Sequence, residues 1–247
     1  MTRDFRLSRR RVLTAGALAA APLASASAGV IRGEMPWQDG AADAPSAAKI
    51  SRDYLFFNPT EAAFIEAATE RLIPTDELGP GAVEAGVPTF IDRQLAGAFG
   101  RGGNWYMQGP WDKGLPTQGY QTRLTPAAMY RAAIRGIDQA VARQGRAGTF
   151  AKLSLADQDG FLKALETGQI DLGGGVDAKA FFDIFLQNTL EGFWSDPIYG
   201  GNRNMAGWKL IGFPGARYDH SPFVTQHGKA YPLPPVGLKG RTAWNGS

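Results

Sequence analysis

Between Asp177 and Asp219 the chain passes directly from a strongly apolar segment into one dominated by glycine, aromatic and polar residues. From Ala178 to Trp194, the side chains of Phe181, Phe182, Ile184, Phe185, Leu186, Leu190, Phe193 and Trp194 point in nearly every direction around a helical period. A helix that is apolar on all sides is normally buried, so this one is expected to be the central helix of a mainly α fold. Asp177 offers a carboxylate to the free N–H groups of the first turn, and Ser195-Asp196-Pro197 ends the run, because proline restricts the residue before it and cannot continue the helix. The loop that follows, residues 195–219, therefore leaves from the core itself.

Four further helices are expected upstream. Asn58-Pro59-Thr60-Glu61 supplies an N-cap, proline at the first helical position and glutamate at the third, after which Ile65, Ala68, Leu72 and Ile73 recur at helical spacing until Pro74. Pro88 opens a second helix, with Phe90, Ile91, Leu95 and Phe99 near one face and Gly100-Arg101-Gly102-Gly103 as its end. Thr125-Pro126 starts a third, striped by Met129, Ala133, Ile137 and Val141; Ser154 caps a fourth carrying Phe161, Leu162 and Leu165. The stretch up to Leu124 places Trp105, Tyr106, Trp111 and Tyr120 among Gly, Pro and Gln without a period, and so long a loop is usually functional or ordered by a partner. Gly173-Gly174-Gly175 has neither a strand nor a Gly-x-Gly-x-x-Gly pattern around it and reads as a turn. After Asp219 comes a tail punctuated by Pro222, Pro232, Pro234 and Pro235, which is extended and needs something to lie on, either its own domain or another subunit. The expectation is a single helical domain, residues 56–247, of about five helices with long irregular loops and an extended Pro-rich tail, 220–247.

The start of the chain is of another kind. Ser8-Arg9-Arg10-Arg11-Val12-Leu13 precedes a mildly apolar, Ala-rich stretch that closes on Ala24-Ser25-Ala26-Ser27-Ala28, the layout of a secretory signal. The paired Arg9 and Arg10 point to twin-arginine export, with cleavage after Ala26 or Ala28, although Val12 and Thr14 depart from the usual pattern. Residues 29–55 are small, polar and Pro-punctuated and read as a linker or arm. The net charge of +3 belongs to the leader: removing its five arginines and one aspartate from 26 cations and 23 anions leaves 21 against 22. Basicity here is an address and gives no support to nucleic-acid binding. The absence of cysteine rules out disulfides, iron–sulfur clusters and thioether-linked haem, and the two histidines leave little for His-based metal sites. No catalytic, cofactor-binding or metal-ligating residue is assigned to the chain.

Three groups of residues nonetheless invite a chemical reading. Asp219-His220-Ser221 contains the members of a hydrolase triad, but a triad needs convergence in space, and neighbours in an extended segment diverge. Glu191 and Asp196 could pair as acid and base across a helix end; the structural reading is stronger, with Asp196 capping the turn at Pro197 and Glu191 bonding the Gly200-Gly201-Asn202 backbone. Arg203, Lys209 and Arg217 could form an anion site or pair with acidic residues on a partner.

The wording of Glu191-Gly192-Phe193-Trp194-Ser195-Asp196-Pro197, Tyr199-Gly200-Gly201-Asn202-Arg203, Gly207-Trp208-Lys209 and Gly212-Phe213-Pro214-Gly215-Ala216 resembles the gluconate 2-dehydrogenase subunit 3 family, over residues 56–218. The resemblance implies a small subunit of a membrane-associated complex that oxidises a sugar or sugar acid. Its partners would be a large FAD-dependent subunit of the glucose–methanol–choline oxidoreductase type and a multihaem cytochrome c subunit passing electrons to quinone. FAD and haem would lie in those partners. This chain would hold the flavin subunit in an exportable state, meet the twin-arginine translocase, reside in the periplasm and touch the membrane only through the complex. Trp, Tyr and Arg tend to anchor interfaces, and the expected partner contact comprises Trp194, Asp196, Tyr199, Asn202, Arg203, Trp208, Lys209, Phe213, Arg217 and Tyr218. The alternatives are a self-sufficient periplasmic hydrolase using Glu191, Asp196 or His220, and a stand-alone binding or scaffolding protein.

Overall fold

Asn58 does what its sequence context requires. Its side chain accepts from the N–H groups of Thr60 and Glu61 while Glu61 accepts from the N–H of Asn58, a complete capping box that starts helix α1 (Pro59–Leu72). The computed structural model describes residues 53–238, apart from 113, 116, 147 and 218. Helix α2 (Val87–Ala96) follows, then α3 (Pro126–Arg143), α4 (Leu155–Glu166), α5 (Ala178–Trp194) and α6 (Ala206–Ile211). Short 3-10 turns are interspersed, and among the described residues two isolated bridges stand in place of any strand. The fold is helical, as the periodicity requires. The leader with Arg9, Arg10, Ala26 and Ala28, and most of the 29–55 arm, lie outside the described residues.

Each expected cap is present. Thr125 accepts from Ala128, Ser154 from Asp157 and Asp177 from Ala180, at 3.3, 3.2 and 3.0 Å. Around α5, Phe64, Tyr130, Phe150, Phe181 and Phe185 are fully buried and meet mostly in tilted or edge-to-face pairs. Two polar groups are built into this core: the Asn188 amide donates to the Tyr130 hydroxyl at 2.7 Å, and the Thr189 hydroxyl donates to the carbonyl of Phe185. Burial pushes the Tyr130 hydroxyl well above the usual phenol range, so it stays protonated.

The structure departs from the sequence reading in four places. Helix α5 packs against each of the other five helices among the described residues but is not buried all round, for Leu190 is 42% and Trp194 37% exposed and Leu186 is half-buried. The second helix ends at Ala96 because Gly97 turns to extended backbone, which leaves Phe99 beyond it to pack edge-on against Trp105. The arm does not reach residue 55: Tyr54 donates to Glu66 at 2.5 Å, and the N–H groups of Leu55, Phe56 and Phe57 all donate to the carboxylate of Asp92 on α2. Finally, a sixth helix stands inside the 195–219 loop.

Candidate functional site

That loop is bolted to the domain by a few side chains. At its start Asp196 accepts from the N–H of Ile198 at 2.9 Å, fixing the 3-10 turn Pro197–Tyr199 as the Asp-Pro pair predicts. Its other oxygen accepts from the N–H of Leu238 at 2.6 Å, so one carboxylate ties the loop to the tail. Gly201 and Gly207 then let the backbone fold onto the end of α5. A Cβ at Gly201 would lie 2.1 Å from the carbonyl oxygen of Gly192, and one at Gly207 2.4 Å from that of Phe193. No side chain fits at either point.

Asn202 is the central fastener. Fully buried, it donates from Nδ2 to the carbonyl of Ser195 and accepts at Oδ1 from the N–H of Gly207, both at 2.8 Å, spanning the loop from its first residue to the start of α6. Asn202, Asn204 and Met205 all have left-handed backbone, with φ of 45°, 57° and 56°. Such conformations persist only where surrounding structure enforces them, and they cluster at functional loops. Arg203 points into the fold, its backbone N–H donating to Ala85 and its Nη2 to Thr89, which pins the loop to the start of α2. Trp208 is 6% exposed, donates from its indole nitrogen to the carbonyl of Trp194 at 2.8 Å and meets Phe213 edge-on.

The residues expected to form a partner contact therefore divide. Asn202 and Trp208 are interior, and Arg203 is turned inward toward Thr89. Trp194, Tyr199, Lys209 and Phe213 are exposed; Asp196 and Arg217 are engaged by the tail; Tyr218 lies outside the described residues. Arg217 donates from Nη2 to the carbonyl of Pro234 and lies over the ring of Tyr231, beside a parallel bridge between Gly215 and Val236. The Pro-rich tail thus lies on its own domain, at least through residues 234–238. Of the three cations considered as an anion site, Arg203 and Lys209 line one shallow cleft together with Glu84, whereas Arg217 serves the tail. A larger cleft of about 650 Å³ has Glu66, Glu70 and Glu84 facing Arg203 and Thr89.

The other chemical readings dissolve in detail. Asp219 accepts from the backbone N–H of Ser221 at 2.8 Å, a local turn, while the ring of His220 packs against Tyr231. Glu191 corrects an expectation: it is exposed and accepts from the Gln187 amide at 2.8 Å, rather than bonding the Gly200-Gly201-Asn202 backbone. Sequence reasoning missed the exposed aliphatic residues of the loop. Ile198, Leu210 and Ile211 are 42%, 46% and 61% exposed, and with Tyr199 and Phe213 they make up an apolar rim in the sense of five large apolar residues of one loop turned to solvent. The signal was available in Leu210-Ile211, two large apolar residues on a helix too short to bury both along with Trp208.

A family model described as gluconate 2-dehydrogenase subunit 3 matches residues 59–215, 157 of the 247 positions. The chain belongs to the gluconate 2-dehydrogenase subunit 3 family. Neither a curated protein nor a solved structure matched it. The family's description makes this subunit 3 chain one component of a dehydrogenase. The subunit 3 match opens at the first residue of α1 and closes at Gly215, so it takes in the whole rim, while the Asp92-bound strap and the tail fall outside it. Among the described residues, no helix is long and apolar enough to cross a membrane.

Proposed function

We propose that this subunit 3 protein is the non-catalytic small subunit of a periplasmic gluconate 2-dehydrogenase-like complex, and that it docks the FAD-dependent subunit through the rim of the 195–219 loop. The observation that carries the reading is the contrast within that loop. Its interior is fastened by Asn202, Arg203 and Trp208, yet Ile198, Tyr199, Leu210, Ile211 and Phe213 are turned to solvent on a frame rigid enough to hold them there. Large apolar residues exposed along one loop are candidates for an interaction surface, and a rigid frame lowers the ordering cost of binding. The Arg9-Arg10 leader would carry the assembled pair through the twin-arginine route, with a multihaem cytochrome c and the membrane met only afterwards.

The test is affinity purification of the tagged full chain from its own host. A bound flavoprotein is expected, recognised by flavin absorbance and by sugar-acid-dependent reduction of an artificial acceptor. Tyr199→Asp combined with Ile211→Asp alters two exposed residues; it should abolish co-purification and leave the melting temperature of the subunit within about 4 °C, since surface changes usually cost under about 0.5 kcal/mol each. Retention of the flavoprotein by this variant would refute the rim as the docking surface. Dehydrogenase turnover by the chain alone would refute the accessory role.

A further inference from the structure

The outward side of α5 carries a second apolar feature. Asp183, Gln187 and Glu191 stand four residues apart along one row, Leu186, Leu190 and Trp194 along the next, and the two rows border an open groove of about 450 Å³. From Asp183 to Trp194 it follows about 16 Å of helix at 1.5 Å per residue. The rows differ in kind. One is wholly apolar; in the other Lys179 neutralises Asp183 at 2.8 Å, whereas Glu191 accepts from the neutral Gln187 amide and has no ion-pair partner among the described residues.

Trp194 joins this groove to the 195–219 loop. Its backbone carbonyl accepts from the Trp208 indole, and its ring lies 3.0 Å from where a Cβ on Gly207 would stand. Ile211 of the rim follows Gly207 by four residues, on the same face of α6. The apolar row of α5 therefore leads onto the loop.

We infer that the flavin-dependent subunit also lays an amphipathic helix in this groove, with aliphatic residues on Leu186, Leu190 and Trp194 and a lysine or arginine facing Glu191; the inference rests on the docking reading given above. Shape argues for a helix, since a groove between two rows of four-residue spacing is filled by a matching row on a second helix, crossing at about −50°. Charge argues for a cation opposite Glu191, because Asp183 already has its own. Continuity through Trp194 argues for the partner that meets the rim, as a separate one would compete with it for the same indole.

The tagged full chain, purified from its own host, tests this with Leu190→Glu and, separately, Glu191→Lys, both at exposed positions. Flavin absorbance per mole of subunit measures the captured flavoprotein. Each variant should lower it at least about tenfold, with the melting temperature of the subunit within about 4 °C of the parent, and Glu191→Gln should lower it less than Glu191→Lys. Undiminished capture by either Leu190→Glu or Glu191→Lys overturns the proposal. The Tyr199→Asp, Ile211→Asp variant run beside them separates the two readings: capture lost there but kept by the groove variants removes the groove helix and leaves rim docking standing, while capture kept by all of them removes both. Dimerisation of the parent chain without flavoprotein in gel filtration, abolished by Leu190→Glu, would show that a second copy covers the groove, and overturn the proposal as well.

Discussion

Replacing Asn202 with alanine tests whether the loop is fastened as described. The substitution removes both hydrogen bonds of the buried amide. The N–H of Gly207 is left buried without its acceptor, which costs about 1–3 kcal/mol; the carbonyl of Ser195 is only half-buried and reaches water in part, costing about 1 kcal/mol. Alanine must also adopt φ of 45°, where its Cβ is strained by about 1 kcal/mol more than asparagine, which tolerates this region. The total is about 3–5 kcal/mol, a large part of the 5–15 kcal/mol typical of a domain, and corresponds to a fall of about 10 °C in melting temperature for a domain of this size. Thermal unfolding followed by circular dichroism reads the effect. Asn202→Gly separates its parts, because it loses the same two bonds but meets no left-handed strain, and should recover about 1 kcal/mol of the loss. A melting temperature for Asn202→Ala within about 2 °C of the parent would refute the fastening role.

Trp208→Ala should cost about 3–5 kcal/mol of folding stability through the cavity it leaves, whereas Trp208→Phe should lose mainly the bond to Trp194; denaturant unfolding of both variants distinguishes this from a surface role, which would leave the alanine variant near the parent. Burial raises the Asp138 carboxyl above its ordinary value, outweighing the N–H that Phe150 donates to it. The folded state therefore favours the neutral form, and the contribution present below the unfolded pKa is lost as pH rises through the folded one. Asp138→Asn, which keeps the acceptor, should then be more stable than the parent at pH 7 and show no such advantage below about pH 4, by melting curves across that range. Arg9→Lys with Arg10→Lys should leave both the chain and its flavoprotein partner in the cytoplasm, as cell fractionation would show, and continued export would refute the twin-arginine reading.

What was legible in the sequence was whatever depends on neighbours along the chain. The caps at Asn58, Thr125, Ser154 and Asp177 are local hydrogen bonds between a side chain and the next turn, and the buried stripe of α3 is a matter of spacing. The Asp196-Pro197 turn is equally local. Features set by distant partners were not legible. The carboxylate of Asp92 sits within an apolar helix face and reads as a misfit until three backbone N–H groups from residues 55–57, more than thirty positions away, are found on it. Trp208 was placed at a partner surface because a Gly-rich loop offers nothing local to bury an indole against; the end of α5, folded close through Gly201 and Gly207, supplies it. For α5 the composition misled, since an all-apolar helix can keep one stripe outside when its neighbours leave a side uncovered.

The junction of tail and loop also sets an order of events. Gly215 pairs with Val236, Arg217 with Pro234 and Asp196 with Leu238, so the loop is braced by the part of the described chain that leaves the ribosome last. Helices α1 to α5 carry nearly all of the core and are made before the tail, so they can pack without it. The brace cannot close until residue 238 is free. A nascent chain stalled within the tail would thus present packed helices beside a loop that is not yet braced.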